Sequence, residues 1–224
     1  MRLNKYIASS TTLSRRAADQ AIMGGRVTVN RLRPTPGQDV TDADEVTLDG
    51  QRITPSVKTT TIMLNKPAGV VVSRDGQGSE TIYDLLPEAY QNLNPIGRLD
   101  KYSSGLLLLT SDGQLAQELT HPKYQKTKVY EVFLDKSLEP LHQQMISDHG
   151  IALEDGVSKL QLERQTEGDS VAWIVTMHEG RNRQIRRTFE ALGYRVTHLH
   201  RTHFGPYQLL DLRSRQTKKL ETRS

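Results

Sequence analysis

One aspartate stands where a reaction is easily placed. Asp100 lies in Gly97-Arg98-Leu99-Asp100-Lys101-Tyr102-Ser103-Ser104-Gly105, a turn with glycine at both ends, and the apolar run Leu106-Leu107-Leu108-Leu109 follows it directly. A carboxylate at the mouth of a buried strand is positioned by the sheet and left accessible by the loop, a setting that suits a nucleophile or a base. The same residue types also build turns and caps, and the local pattern taken alone favours that plainer role. The chain has no cysteine. Disulfides, thiolate zinc sites and a cysteine nucleophile are thereby excluded, and any chemistry falls to Asp, Glu, His, Lys, Tyr, Ser or a metal.

Four other groups could carry chemistry. The run Glu179-Gly180-Arg181-Asn182-Arg183-Gln184-Ile185-Arg186-Arg187 could supply a guanidinium partner for an ionised carboxylate, with bidentate phosphate contacts from the remaining arginines; its plainer reading is a solvated basic helix. Tyr130 sits in Lys128-Val129-Tyr130-Glu131-Val132, where a half-buried strand explains it. His198, His200 and His203 alternate as strand ligands would, but Arg201 among them and the lack of further ligands argue against a metal. Asp42-Ala43-Asp44-Glu45 lacks the glycine that a calcium loop needs.

The elements that must position these residues follow from pattern. The first 33 residues hold seven basic side chains (Arg2, Lys5, Arg15, Arg16, Arg26, Arg31, Arg33) against the single acid Asp19, and Asp39, Asp42, Asp44, Glu45 and Asp49 come next. Two faces of opposite sign would orient such a module on a polyanion. Helices are expected over Leu3 to Ala8 and from Ser14 to Met23, with Thr12 or Ser14 as cap, then strands at Arg26 to Asn30 and Glu45 to Gly50. A polar linker covers 57–60. Beyond it strands are expected at 61–66, 70–73, 126–134, 159–162 and 171–177, with helices at 113–119, 140–149 and 182–192. Strand pairs recur without a helix between them, so an α+β domain with a largely antiparallel mixed sheet and flanking helices fits better than a doubly wound sheet. Residues 213–224 read as a mobile basic tail. No run approaches the roughly 20 apolar residues of a membrane span, and the first residues do not form a signal-peptide core, so a soluble cytoplasmic protein is expected.

Asn94-Pro95-Ile96-Gly97-Arg98-Leu99-Asp100, continuing through Ser104 to Thr110 and Asp112-Gly113, resembles the active-site motif of the pseudouridine synthases that act on ribosomal RNA. Lys128-Val129-Tyr130 and Asn182-Arg183-Gln184-Ile185-Arg186-Arg187 follow in that family's order. Residues 1–56 resemble the S4 RNA-binding domain through Arg2-Leu3-Asn4-Lys5-Tyr6-Ile7-Ala8, Ser14-Arg15-Arg16, Gly25-Arg26-Val27-Thr28-Val29-Asn30 and Asp44-Glu45-Val46; the synthase domain would span 61–212. The resemblance implies that uridine is isomerised to pseudouridine without metal or organic cofactor, with Asp100 as the catalytic residue, acting on the sugar, the base or a proton. It implies that Arg186 pairs with Asp100, that Arg98 takes part in substrate binding, and that Tyr130 and Leu199 pack against a flipped-out base. RNA contacts would come from Arg2, Lys5, Arg15, Arg16, Arg26, Arg181, Arg183, Arg187 and Arg201. The expected partner is ribosomal RNA, 23S rather than 16S, or an assembling ribosomal subunit, met by a monomer. A non-catalytic RNA-binding or ribosome-assembly factor is the competing reading. A metal-dependent nuclease would need clustered carboxylates, and only Asp100 and Asp112 lie near the central motif.

Overall fold

The computed structural model describes residues 1–11, 13–55 and 59–221. The chain forms two compact units, Met1–Thr59 and Thr60–Ser224.

In the first unit, helices α1 (Leu3–Ser10) and α2 (Arg15–Met23) precede an antiparallel sheet of β1 (Val27–Val29), β2 (Val46–Leu48) and β3 (Gln51–Arg52). Ser14 caps α2 by accepting a hydrogen bond from the Ala17 amide at 3.1 Å, which satisfies one of the free amides of the first turn. Thr12, the other expected cap, lies outside the described residues, as do Val57 and Lys58 of the expected linker. Leu3, Ile7, Ala18, Ala21, Val27 and Val46 close a small core of the unit's own.

The second unit runs β4 (Thr61–Lys66), β5 (Asn94–Ile96), β6 (Ser104–Thr110), α3 (Gly113–Thr120), β7 (Lys128–Leu134), α4 (Pro140–Gln144) with a π-helical turn Met145–His149, the hairpin β8 (Ile151–Leu153) and β9 (Gly156–Ser158), β10 (Gln161–Arg164), β11 (Ala172–Met177), α5 (Gln184–Glu190), β12 (Val196–Phe204), β13 (Tyr207–Gln208) and β14 (Thr217–Leu220). Its main sheet has the order β10-β11-β7-β12-β6-β4-β14, with β5 on β6 and β13 on β12. The pairing of β6 with β12 is parallel and the other pairings of these strands are antiparallel. The α+β class with a largely antiparallel sheet is therefore the one observed. Leu107 and Leu109 of β6 enter a large core with Trp173, Val132 and Phe189, whereas Leu106 and Leu108 enter a smaller one with Leu119 of α3 and Phe204. A strand covered on both faces needs no polar alternation, which accounts for four leucines in a row.

Three expectations need correction. Residues 217–220 are not a free tail: they pair antiparallel with β4, Thr217 opposite Leu64 and Leu220 opposite Thr61, which satisfies the backbone groups along an edge of β4, and Lys218 and Lys219 leave the new edge charged. Residues 70–73 are not a strand. The chain turns at Gly69 with φ +90°, and only Val71 bridges, to Thr81, while Val70 sinks into the core. The basic helix expected from Asn182 starts at Gln184, because Arg183 adopts φ 46° and ψ 31°, a left-handed conformation outside the helix.

Candidate active site

Asp100 sits on a four-residue turn closed by the Ser103 amide donating to the Asp100 carbonyl at 3.0 Å. The preceding Leu99 is buried in the large core, and β5 ties the approach to β6. The exit is held from beneath by Lys66 at the end of β4. This lysine is wholly buried, and its ammonium donates to the carbonyls of Pro67 at 2.9 Å, Ser103 at 2.7 Å and Lys101 at 3.4 Å. Burial pulls its pKa down to about 8, against the opposing charge of Asp100. None of the sequence motifs singles out Lys66, yet a signal for it exists. Period-two alternation in Thr61–Lys66 places Lys66 on the face of Ile62 and Leu64, and a lysine on a core face must find partners.

Arg186 clamps the same turn from α5. It donates to the Val196 carbonyl at 2.8 Å, the Tyr102 carbonyl at 3.1 Å and the Ser103 hydroxyl at 3.5 Å. Burial, then the charge of Arg183, lower its pKa, and Asp100 opposes them. The expected Arg186–Asp100 ion pair is therefore replaced by a charge that acts from behind the turn. The residue paired with the carboxylate is Arg183, with Nη1 3.8 Å from Oδ2 and the two side chains 45% and 33% exposed. The left-handed backbone at Arg183 sets it outside the helix, at its N-terminal boundary.

The other arginines divide differently from expectation. Arg181 donates to Asp155 Oδ1 at 3.0 Å and to the carbonyls of Asp155, Gly156 and Val157 at 2.8 to 2.9 Å. Arg187 pairs with Asp155 at 2.7 Å and with the Asn182 carbonyl at 2.8 Å, and this bond holds the Asp155 carboxyl below its ordinary range. Both therefore fasten the β8–β9 hairpin to the start of α5 and are not free for phosphates. Arg201, also expected on RNA, is 2% exposed; its Nε donates to the Leu106 carbonyl at 2.8 Å and its guanidinium lies 4.8 Å from the Phe204 ring centre. It packs where β12 meets β6 so closely that a Cβ on Gly105 would lie 2.3 Å from the Arg201 carbonyl, which only glycine tolerates.

Apolar residues complete the site. Leu99, Tyr130, Ile185 and Leu199 belong to one large buried cluster, so the expected base-packing pair Tyr130 and Leu199 lies in the same core as Leu99, the neighbour of Asp100. Arg98 is exposed at the turn. The histidines do not converge: the His198 and His200 rings stack 5.9 Å apart and His200 Nδ1 meets the Ser104 hydroxyl at 2.8 Å. Among the described residues no three His, Asp or Glu side chains form a metal-binding group.

In the first unit Arg15 and Arg16 are exposed and Lys5 half-buried on α1 and α2. Arg26 is exposed but bound by Asp49 at 2.8 and 2.5 Å, and Arg2 reaches the Gly37 carbonyl and lies 3.8 Å from Asp39.

A family model described as RNA pseudouridylate synthase matches residues 60–191, and an S4 domain model matches residues 1–46. A Bacillus subtilis protein named ribosomal large subunit pseudouridine synthase B is 38% identical, over 98% of this chain and 91% of its own length. A Xanthomonas campestris protein of the same name is 37% identical over 93% of this chain but 44% of its own length, so the chain spans less than half of that relative. The crystal structure of a pseudouridylate synthase superposes with a TM-score of 0.71 at 30% identity, covering 99% of this chain and 96% of that one.

Proposed function

This chain belongs to the RNA pseudouridylate synthase family, and on that premise we propose that it converts a specific uridine of large-subunit ribosomal RNA to pseudouridine with Asp100 as the catalytic residue. The isomerisation breaks the bond from uracil N1 to the ribose, rotates the base and forms the bond from C5; N1 gains a proton and C5 loses one, so no redox carrier is consumed. The observation that carries the proposal is the placing of Asp100: one-third exposed, on a turn held by the buried ammonium of Lys66 and the guanidinium of Arg186, directly after Leu99 of the large core. A preorganised, partly exposed carboxylate suits attack on, or proton transfer at, a nucleoside taken out of its stack. Arg183 must give up the carboxylate as substrate enters, and its guanidinium is then available to a phosphate. Lys5, Arg15 and Arg16 supply a cationic face for the RNA on the S4 domain. The large-subunit assignment is supported by the names of the relatives.

The test is pseudouridine mapping by carbodiimide and primer extension on both ribosomal RNAs, from cells with the gene, without it, and rescued by Asp100→Asn. One site should vanish from the large-subunit RNA on deletion and stay absent with the variant, while the variant binds RNA within about twofold of wild type. An unchanged map would leave an RNA-binding role without this chemistry; restoration by Asp100→Asn would remove Asp100 from the mechanism.

A further inference from the structure

We propose that Tyr102 is a stacking platform for an unpaired base of the substrate RNA beside the target uridine. The inference rests on the reading of Asp100 as the reacting group. Tyr102 is 67% exposed, an unusual state for a large aromatic side chain, and it occupies a corner of the turn that carries Asp100. The first and fourth residues of such a turn lie within about 7 Å of each other, so the ring is tethered close to the carboxylate.

Its backbone is immobilised while its ring is not. The Tyr102 carbonyl accepts from Arg186 at 3.1 Å, the Lys101 carbonyl from the Gly69 amide at 2.7 Å, and the Ser103 carbonyl from Lys66 at 2.7 Å. The Lys101 ammonium lies 5.8 Å from the ring centre and donates to the Ser79 hydroxyl at 3.0 Å. A tyrosine on a rigid backbone has two side-chain torsions to order, so stacking costs it little entropy. Exposed Arg98 and Arg183 flank the same turn and suit the phosphates of a strand that would bring a base over the ring. An enzyme that removes a base from its stack leaves the neighbouring base without a partner, and an aromatic face replaces the lost one whatever that base is.

The experiment uses the full-length protein as wild type and as Tyr102→Ala, Tyr102→Phe and Tyr102→Trp. The probe is an unmodified transcript of large-subunit ribosomal RNA carrying tritium at uridine C5, which isomerisation releases. In filter binding Tyr102→Ala should lose about tenfold in affinity, as expected for one base–aromatic stack, and Tyr102→Phe should stay within about twofold. At saturating RNA the single-turnover rate of Tyr102→Ala should remain within about threefold of wild type. Trp173 is fully buried, so fluorescence gained by Tyr102→Trp reports position 102, and RNA should quench it. Unchanged affinity of Tyr102→Ala, an equal loss in Tyr102→Phe, or unquenched fluorescence would overturn the platform. If wild type binds the transcript but releases no tritium, the choice of RNA in the proposed function fails, and the affinity ratio and quenching still decide Tyr102.

Discussion

The basic residues of the two units look alike as letters and differ as structure. On α1 and α2 of the S4 unit, Lys5, Arg15 and Arg16 make no hydrogen bond or ion pair to the described residues, whereas in the synthase unit Arg181, Arg187 and Arg201 are bound to carbonyls and carboxylates of the protein itself. A basic run is thus left without protein partners in one place and serves as internal scaffolding in the other. What separates them is the partner within reach: Asp155, the β8–β9 carbonyls and the Leu106 carbonyl engage the guanidinium groups of the second set, whereas a cation with no such partner stays available for phosphate. Arg183 stands between these cases, exposed and yet paired with Asp100.

The sharpest way to break the contrast is Arg201→Ala. It would leave the Leu106 carbonyl without its donor and open space against Phe204, for a loss of about 2 to 4 kcal/mol and a fall in melting temperature of roughly 5 to 15 °C; RNA affinity of the folded fraction should not change. Urea denaturation with filter binding at low temperature checks both parts, and weakened RNA binding at unchanged stability would return Arg201 to the RNA surface. Replacing Lys5, Arg15 and Arg16 together by Ala should do the reverse. Affinity for RNA should fall roughly tenfold or more and the salt dependence of binding should flatten by about 2 to 3 in slope, because each phosphate left without its cationic side chain keeps its counterion. Stability should stay within about 0.5 kcal/mol of wild type. A salt titration of binding measures this, and an unchanged slope would mean that the exposed cations face away from the RNA.

A smaller effect concerns the buried cation under the active turn. Lys66 titrates near pH 8 in the folded protein, about 8 being its lowered pKa, and near its ordinary value, about 10.4, when unfolded. Between these values the unfolded chain binds the extra proton, so this group's contribution to stability rises with pH over that window and is flat below it. Catalysis should move the other way, since loss of the ammonium weakens its hold on the carbonyls of Lys101 and Ser103. We expect the single-turnover rate to decline a few-fold above about pH 8 while the urea midpoint of wild type gains relative to Lys66→Met; parallel profiles for the two proteins would discount Lys66.

Much of this was readable from the chain. The helix pair with its Ser14 cap, the strand after Gly25, the aspartate turn before a leucine strand, and the order of the motifs all rest on local chemistry: capping, side-chain period and the conformations glycine permits. Those cues act within a few residues and leave Asp100 a turn residue and Tyr130 and Leu199 core strand residues; the resemblance of their motifs to the family nominates all three. The β8–β9 hairpin and the edge strand Thr217–Leu220 escaped notice because each is short and defined by a partner that its own residues do not announce.

The sequence by itself carried the family motifs, the α+β class and the two-part organisation, and nominated Asp100. The tertiary structure decided which cations serve the fold and which find no partner in it. Long cationic side chains choose partners by proximity in space: Lys66 finds Ser103 37 positions away, Arg201 finds Leu106 95 positions away, and Arg186 reaches Tyr102 across 84. No local period records such pairings. They exist only once the fold has brought distant carbonyls within reach of these side chains, and where the site is buried, as at Ser103 and Leu106, each carbonyl needs a donor.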